Sequence, residues 1–278
     1  MKTLRVVLPH APDSSPALKL TRWPLAAVLV AAALLSACGG GGGSSPESTP
    51  EPTPPPASTS LSAAQLQGRW LTSTGVTPAR TAIVLPGAQG STEVWLLASD
   101  LSSVSRLQVS TSGIDGVSAI GKRYSLPSSI SNVGQSVSDS GTANLSNNSL
   151  SLNSGALLLT RSNALTTASS LADVVGNWSA SVGGQTATLR LAVAANGALS
   201  GSGSTGCSYS GSLSARSDAT AYNARLSEVC SSGTTAFAGI ATYQSVQGST
   251  PAALTMAMTT TDAAQTQALV LALGMGQP

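Results

Sequence analysis

Apolar residues alternate with small polar residues through most of the chain beyond Leu61. Leu189, Leu191 and Val193 fall on one face of an extended segment, and the residues between them fall on the other. A period of two matches a β-strand, in which successive side chains point to opposite faces. The 3.6-residue period of a long amphipathic helix does not occur in this region. We therefore expect an all-β fold built from short strands.

The second half of the chain contains about eight candidate strands separated by turn residues. Asn196-Gly197 lies between two of them and predicts a β-hairpin with a type I′ turn, because that turn needs positive φ at both central residues. The candidate strands cover residues 176–182, 186–194, 197–203, 206–215, 220–230, 235–246, 252–260 and 266–273. Many short strands with turns between them are typical of a sandwich or a barrel.

A short motif of glycine, any residue and tryptophan occurs twice in the chain. Gly68-Arg69-Trp70 and Gly176-Asn177-Trp178 are 108 residues apart. Each follows a short helix-like segment, and each precedes roughly a hundred residues of strand-like pattern. A repeat of this length predicts two similar domains. We place the first at residues 61–165 and the second at residues 169–278, each with about eight strands.

The repeated motif resembles the opening of lipocalin-like (calycin) barrels, in which the tryptophan closes the floor of the barrel. The resemblance implies two tandem antiparallel up-and-down barrels, in which Trp70 and Trp178 plug the cores. The second half is also similar to a module of uncharacterised proteobacterial lipoproteins, and this similarity implies a fold but no active site. It rests on five segments of this chain: Gly176–Trp178, Asn196–Gly201, Gly206–Gly211, Tyr222 with Cys230, and Gly239–Ala241.

Residues 1–37 have the pattern of a secretory signal peptide. Four basic residues precede an apolar run from Pro24 to Ala37, which is 14 residues long. A membrane-spanning helix needs roughly 20 apolar residues, whereas the apolar core of a signal peptide has about 7–15. The basic region is long, so either translation begins later than Met1 or the leader is extended.

The leader ends in Leu35-Ser36-Ala37-Cys38, which resembles the lipobox of bacterial lipoproteins. The resemblance implies lipid transfer to the Cys38 thiol, cleavage before Cys38, and acylation, for example with palmitate, of the new amino terminus. A lipid bilayer would then be the first partner of the protein. Gly39 stands where an aspartate favours inner-membrane retention, which implies the outer membrane. The alternative is a chance cysteine after an ordinary signal peptide.

Residues 39–60 have the composition of a linker. Glycines and serines come first and give a flexible coil, and the prolines after them favour an extended polyproline segment. We expect this linker to be disordered and to separate the lipid anchor at Cys38 from the folded part. A proline-rich ligand for a partner domain is the alternative interpretation.

The charge of the mature chain argues against nucleic-acid binding. The overall isoelectric point is about 8.6, but four basic residues and one acid belong to the leader. From Cys38 onward the chain has nine basic and ten acidic residues, which gives a net charge of −1. Such a chain offers little attraction to phosphates.

The residue types of the mature chain argue against an enzyme. The single histidine, His10, lies in the leader, which removes the commonest general base and the commonest metal ligand. Lys122 is the one mature lysine, and no S-x-x-K motif surrounds it. The acids of the folded part are scattered singly. We therefore predict no catalytic residues, no cofactor and no metal site.

Cys207 and Cys230 remain once Cys38 is assigned to lipid. An even pair in an exported chain predicts a disulfide, which would stabilise the fold by about 3 kcal/mol on the chain-entropy estimate. Two reduced thiols, or a metal site with two cysteine ligands, are the alternatives.

The glycine-rich run from Gly201 to Gly206 is interpreted as a bend, because neither a helix nor a lysine follows it as in a phosphate-binding loop.

Taken with the lipobox, these features favour a non-enzymatic lipoprotein of the cell envelope that acts as a structural or interaction module, with its barrels facing solvent. A binding protein for a small apolar ligand, or for a host or envelope protein, is the alternative. Small interior residues allow either a tightly closed barrel or an apolar cavity, and Trp95 is interpreted as a core residue. A cleft that joined Lys122 to a serine, or that brought two acids within about 5–10 Å of each other, would favour an enzyme.

Overall fold

The computed structural model describes residues 60–87, 91–126, 133–181 and 188–275. These ranges contain sixteen β-strands and three short 3-10 helices, at Ala63–Leu66, Asn153–Gly155 and Leu171–Asp173. No helix in these ranges has the length and apolar character needed to cross a membrane. The predictions for residues 1–59, including the lipidation of Cys38, lie outside the described residues.

The first eight strands form a closed antiparallel barrel. Each strand pairs with the next along the chain, and β8 returns to pair with β1. Their bounds are β1 Gly68–Thr72, β2 Arg80–Pro86, β3 Thr92–Ala98, β4 Ser103–Ser112, β5 Gly116–Ser125, β6 Gln135–Asn144, β7 Ser149–Leu152 and β8 Leu157–Asn163. Closure leaves this sheet without a free edge, which protects it from pairing with other chains.

The last eight strands form a second closed barrel with the same up-and-down order, in which β16 pairs with β9. Their bounds are β9 Gly176–Ser181, β10 Thr188–Val193, β11 Ala198–Gly203, β12 Ser208–Ala215, β13 Tyr222–Cys230, β14 Gly233–Gln244, β15 Ala253–Thr260 and β16 Ala268–Met275. Each of the eight predicted strands overlaps one of these, with bounds that agree within two residues. The predicted all-β class with two eight-stranded antiparallel barrels is confirmed.

The two tryptophans of the repeated motif occupy equivalent places. Trp70 and Trp178 are 0% and 1% exposed. The indole Nε1 of Trp70 donates a hydrogen bond to the carbonyl of Leu66 over 2.9 Å, and that of Trp178 donates to the carbonyl of Val174 over 2.8 Å. Each carbonyl lies at or just after the end of a 3-10 helix, so each tryptophan fastens that helix to the first strand of its barrel.

The glycine of each motif has a backbone conformation that other residues rarely adopt. The φ angle is +150° at Gly68 and +140° at Gly176. A side chain at such a φ clashes with the local backbone, so only glycine fits without strain. The motif therefore combines a backbone turn that needs glycine with a large plug two residues later.

Buried apolar side chains occupy the interior of both barrels, which favours the closed interpretation of the sequence. The first interior contains Trp70, Val84, Val94, Leu96, Leu107, Val109, Val117, Leu150, Leu152 and Leu159. The second contains Trp178, Leu189, Leu191, Val193, Leu199, Leu213, Tyr222, Leu226, Phe237, Leu254, Met256, Met258, Leu269, Leu271 and Leu273.

The glycine-rich run from Gly201 to Gly206 covers the end of β11 and the turn that leads to β12, so the predicted bend is present in its second half. Gly206 has a φ of +85° in the turn. A Cβ added at Gly201 would lie 2.2 Å from the carbonyl oxygen of Arg190, and one at Gly211 would lie 2.1 Å from that of Arg225. Glycine at these two positions lets the neighbouring strands approach closely where the sheet curves.

The predicted hairpin at Asn196-Gly197 forms, but the type I′ turn was wrong. Gly197 has a φ of +81°, whereas Asn196 does not have positive φ. The amide of Gly197 donates to the carbonyl of Ala194, and Ala194 and Ala198 close the loop. The loop therefore has four residues, 194–197, rather than the two of a type I′ hairpin, and Gly197 with its positive φ is the last of them.

Candidate functional site

The outer faces of several strands are apolar and buried. On β3, Trp95 and Leu97 point outward and are 0% and 8% exposed, and on β16 Val270 is 4% exposed. These side chains belong to one buried cluster to which both barrels contribute, here called the seam. Its members are Ile83, Leu85, Trp95, Leu97, Val104, Tyr124, Leu126, Leu165, Ala219, Ala221, Ile240, Ala257, Ala268 and Val270. The barrels are therefore covered by each other, and do not face solvent, on this side of each barrel.

Polar contacts reinforce the seam at its margins. Arg106, Lys122 and Tyr124, all on outward positions of β4 and β5, donate hydrogen bonds from the first barrel to the second. Bonds that cross include Arg106 Nη1 to Thr259 Oγ1 (2.9 Å), Tyr124 hydroxyl to Gln265 carbonyl (2.8 Å), Lys122 Nζ to Ala264 carbonyl, Gly134 amide to Thr266 carbonyl (3.0 Å), Gln67 Nε2 to Asp218 carbonyl (2.7 Å) and Arg216 Nη2 to Pro86 carbonyl (2.6 Å). Apolar burial and these hydrogen bonds join the two barrels into one body, although Nε1 of Trp95 is buried in the seam without a hydrogen-bond partner among the described residues.

Arg106 combines three interactions at the edge of the seam. Its Nε lies 2.6 Å from Oε1 of Glu93, and its guanidinium carbon lies 5.2 Å from the ring centroid of Trp95. The remaining arm reaches Thr259 across the seam. A guanidinium over an indole face is attracted by the ring quadrupole, so Arg106 covers Trp95 and links it to the second barrel.

A pocket of about 230 Å³ opens within the seam, here called the seam pocket. The first barrel supplies β1, β2, β3 and the turn after β3, and the second supplies β14, β15 and β16. The lining residues are Arg69, Thr81, Ile83, Leu97, Ala98, Ser99, Leu101, Ile240, Thr242, Gln244, Thr255, Ala257 and Ala272. The walls are thus aliphatic side chains interrupted by hydroxyls and one amide.

Among the described residues, Arg69 is the only charged one that lines the seam pocket. Its Nε is buried and has no hydrogen-bond partner, and no carboxylate among the described residues lies within ion-pair distance of it. Burial lowers the pKa of the Arg69 guanidinium. Asp100, next to the lining residues Ser99 and Leu101, instead accepts hydrogen bonds from the amide and hydroxyl of Ser102. A positive charge therefore borders a pocket of mixed apolar and hydroxyl-bearing walls, without a counter-ion from the described part of the chain.

A second groove, of about 670 Å³, lies on the outer face of the first barrel. Lys122 and Ser136 both line it and are directly opposed on β5 and β6. This is the type of cleft that would favour a serine-lysine enzyme. However, Nζ of Lys122 donates to the carbonyl of Ala264, so the amine is engaged as a donor in joining the two barrels.

The predicted disulfide between Cys207 and Cys230 is present, with 4.3 Å between the Cα atoms. It ties the residue before β12 to the end of β13, which are neighbouring strands. Beside it, the hydroxyl of Tyr209 donates to Oε1 of Glu228 over 2.7 Å. Burial, with the Glu228 carboxylate, raises the pKa of the Tyr209 hydroxyl.

Cys207, Glu228 and Cys230 form the one group of three potential metal-ligand atoms found among the described residues. The two sulfur atoms are bonded to each other, so neither is a thiolate. A metal ion needs deprotonated thiolate ligands. The donor set in this structure therefore does not fit a metal ion.

Sequence reasoning assigned Cys207, Cys230, Trp70 and Trp178 to structural roles, and the structure places them there. It missed Arg69 and the seam. The sequence does contain a signal for the seam. Strands β2, β3 and β16 have unbroken apolar runs, at residues 82–85, 94–98 and 268–273. A continuous apolar run indicates a strand buried on both faces, whereas alternation indicates one buried face.

No protein-family model, no curated protein and no solved structure gives a significant match to this chain. The function must therefore be argued from the motifs of the sequence and from the geometry of the two-barrel body.

Proposed function

We propose that this chain is a lipoprotein of the bacterial cell envelope, attached to the outer membrane through acylated Cys38, and that its two-barrel body acts by binding rather than by catalysis. The single observation that carries the proposal for the body is the seam, because it packs the two barrels against each other within one compact unit. We expect such a unit to present preformed surfaces and pockets to a partner, and preorganisation of this kind lowers the entropic cost of binding.

The proposal for the anchor rests on the sequence Leu35-Ser36-Ala37-Cys38 and on the linker of residues 39–60. Two or more acyl chains are needed for stable membrane attachment, since each buried methylene contributes about 0.8 kcal/mol. The 22 residues from Gly39 to Ser60 reach at most about 75 Å when fully extended, at up to about 3.4 Å per residue. That reach is enough to hold the two-barrel body clear of the lipid headgroups.

The proposal of a non-enzymatic role rests on the residues that the mature chain offers for chemistry. The mature chain has no histidine. Its one lysine donates to Ala264 at the seam, and its two remaining cysteines are joined to each other. The seam and the barrel interiors use the large side chains for packing, so binding is the activity that these residues support best.

Membrane fractionation of the full chain tests the anchor. The Cys38→Ser variant should leave the membrane fraction, and mass spectrometry of the wild type should find an acylated amino terminus at residue 38. The matched control is the double variant Cys207→Ser and Cys230→Ser, which changes two other cysteines and should stay in the membrane fraction. A Cys38→Ser protein that fractionates like the wild type would refute lipid attachment.

The second candidate function is the binding of a small ligand, and the seam pocket is the observation that favours it. A host or envelope protein is the alternative ligand. Chemical cross-linking in intact cells followed by purification of the full chain separates these cases, because a protein partner gives a cross-linked species of defined mass and a small ligand does not.

A further inference from the structure

We propose that the seam pocket binds a small aliphatic monocarboxylate, with the carboxylate on the guanidinium of Arg69 and the hydrocarbon between the two barrels. This inference rests on the binding role proposed above and names its ligand class. It does not depend on the lipid anchor, which the fractionation of Cys38→Ser tests separately.

The charge in the pocket selects the sign and number of charges on the ligand. Of the lining residues that the structure describes, only Arg69 is charged, and its Nε is a buried donor without an acceptor among them. Leaving a donor or a cation buried without a partner costs free energy, more for a charged group. A single negative charge would offset that cost. A carboxylate suits a guanidinium particularly well, because both groups are planar and form charge-assisted hydrogen bonds.

The apolar side chains on the walls of the pocket favour a ligand with an aliphatic hydrocarbon chain. Ile83 and Leu97 from the first barrel face Ile240 and Ala257 from the second, and all four belong to the buried cluster of the seam. A hydrocarbon placed among them loses contact with water, which is favourable in proportion to the apolar area covered. An inorganic anion would leave these walls without a partner.

The size of the pocket limits the ligand. Pockets for drug-sized ligands have volumes of about 300–1,000 Å³, and this one has about 230 Å³. It therefore suits a short chain such as that of hexanoate and is too small for the full length of a membrane fatty acid. Hydroxyls of Thr81, Thr242 and Thr255 on the lining can serve as further donors to the second carboxylate oxygen.

Equilibrium dialysis of the purified full chain against radiolabelled hexanoate tests the proposal. We expect saturable binding of one hexanoate per chain, and at least about 10-fold weaker binding of 1-hexanol, which lacks the charge. Unlabelled hexanoate should displace the label, and inorganic phosphate at the same concentration should not. Hexadecanoate should compete no better than hexanoate.

Two variants locate the site, and one controls for charge. Arg69→Met keeps an unbranched side chain and removes the charge, and Ala272→Phe fills the pocket from an exposed position on β16. Each should weaken hexanoate binding at least about 10-fold. Arg190→Met removes an exposed arginine of the same barrel as Ala272 and should leave the affinity unchanged.

Circular dichroism should show all three variants folded, and Ala272→Phe alone decides the case if Arg69→Met does not fold. Equal binding by the wild type and Ala272→Phe would overturn the proposal. So would tighter binding of phosphate or hexadecanoate than of hexanoate, or no saturable binding of hexanoate at all. None of these results would bear on the attachment of the protein to a membrane.

Discussion

The hydroxyl of Tyr124 donates a hydrogen bond to the carbonyl of Gln265 over 2.8 Å, and this bond connects the two barrels. Tyr124 lies on the outer face of β5 and is 0% exposed. Gln265 lies in the turn between β15 and β16, 141 residues further along the chain. Burial raises the pKa of the Tyr124 hydroxyl, which keeps it protonated as a donor. We therefore expect the stability of each barrel to depend on the other.

Truncation of Trp95 should reveal this coupling. Trp95→Ala removes the largest fully buried side chain of the seam and also the partner of the Arg106 guanidinium. We expect the free energy of unfolding to fall by about 3–5 kcal/mol, as is typical for large aromatic residues in a core. Urea denaturation followed by far-ultraviolet circular dichroism measures the change. Ile120→Ala, on the same barrel but 55% exposed, should change it by no more than about 0.5 kcal/mol.

If Trp95→Ala and Ile120→Ala have equally small effects, the seam does not support the fold. A single cooperative transition in the wild type that splits into two in Trp95→Ala would support it, since weakened coupling lets each barrel unfold separately.

The two motif glycines should differ in their tolerance of a methyl group. Both have positive φ, so alanine strains the backbone at either position, at a cost of about 1–3 kcal/mol. At Gly68 the added Cβ would also lie 2.6 Å from the carbonyl oxygen of Asn163, whereas at Gly176 no heavy atom lies within 4 Å. We expect Gly68→Ala to lower the melting temperature more than Gly176→Ala. The reverse order in differential scanning calorimetry would contradict the account of this repeat.

Loss of the disulfide should destabilise the second barrel. Replacing Cys207 and Cys230 together by serine should lower the free energy of unfolding by about 3 kcal/mol, since the unfolded chain gains the freedom that the closed loop removed. Urea denaturation with and without a reductant measures this. The reductant should destabilise the wild type by a similar amount and leave the double variant unchanged. If the free energy of unfolding of the wild type is the same with and without reductant, even after the chain has been fully unfolded in its presence, the disulfide is absent.

Alkaline pH should weaken the fold through Tyr222. Its hydroxyl donates to the carbonyl of Ser170 over 2.8 Å, and burial, with the nearby Asp173 carboxylate, raises its pKa to about 12. An unfolded tyrosine ionises near pH 10. The contribution of Tyr222 is therefore complete below about pH 10 and is lost as the pH rises towards 12, because the unfolded chain releases a proton that the folded chain retains.

The matched variant for this prediction is Tyr222→Phe. Between pH 10 and 12 its free energy of unfolding should decline less steeply than that of the wild type, by up to about 1.4 kcal/mol per pH unit for one proton. Urea denaturation at pH 9, 10 and 11 measures both slopes. Identical slopes would show that the Tyr222 hydroxyl is not held in its neutral form by the fold.

Much of each barrel can be predicted from local signals. The alternation of Leu189, Leu191 and Val193 fixes which face of β10 points inward, because side chains alternate along any strand. The pair Cys207 and Cys230 predicts a disulfide. The hairpin at Asn196-Gly197 was located correctly, but its turn type was wrong. Ala194 and Ala195 also lie outside the strands, so the loop has four residues and not the two that a type I′ turn requires.

Local patterns in the chain were sufficient for the strands and the disulfide, because each depends on residues close in the chain or on neighbouring strands. The closure into two barrels and the tryptophan plugs were implied by the resemblance to the opening of lipocalin-like barrels. The three-dimensional fold was needed to show that the outer faces around Trp95 and Val270 meet, and that Arg69 borders a pocket between them. An apolar run indicates that an outer face will be covered, but it carries no information about the partner. That choice is made by shape and hydrogen bonding between residues well over a hundred positions apart, such as Tyr124 and Gln265.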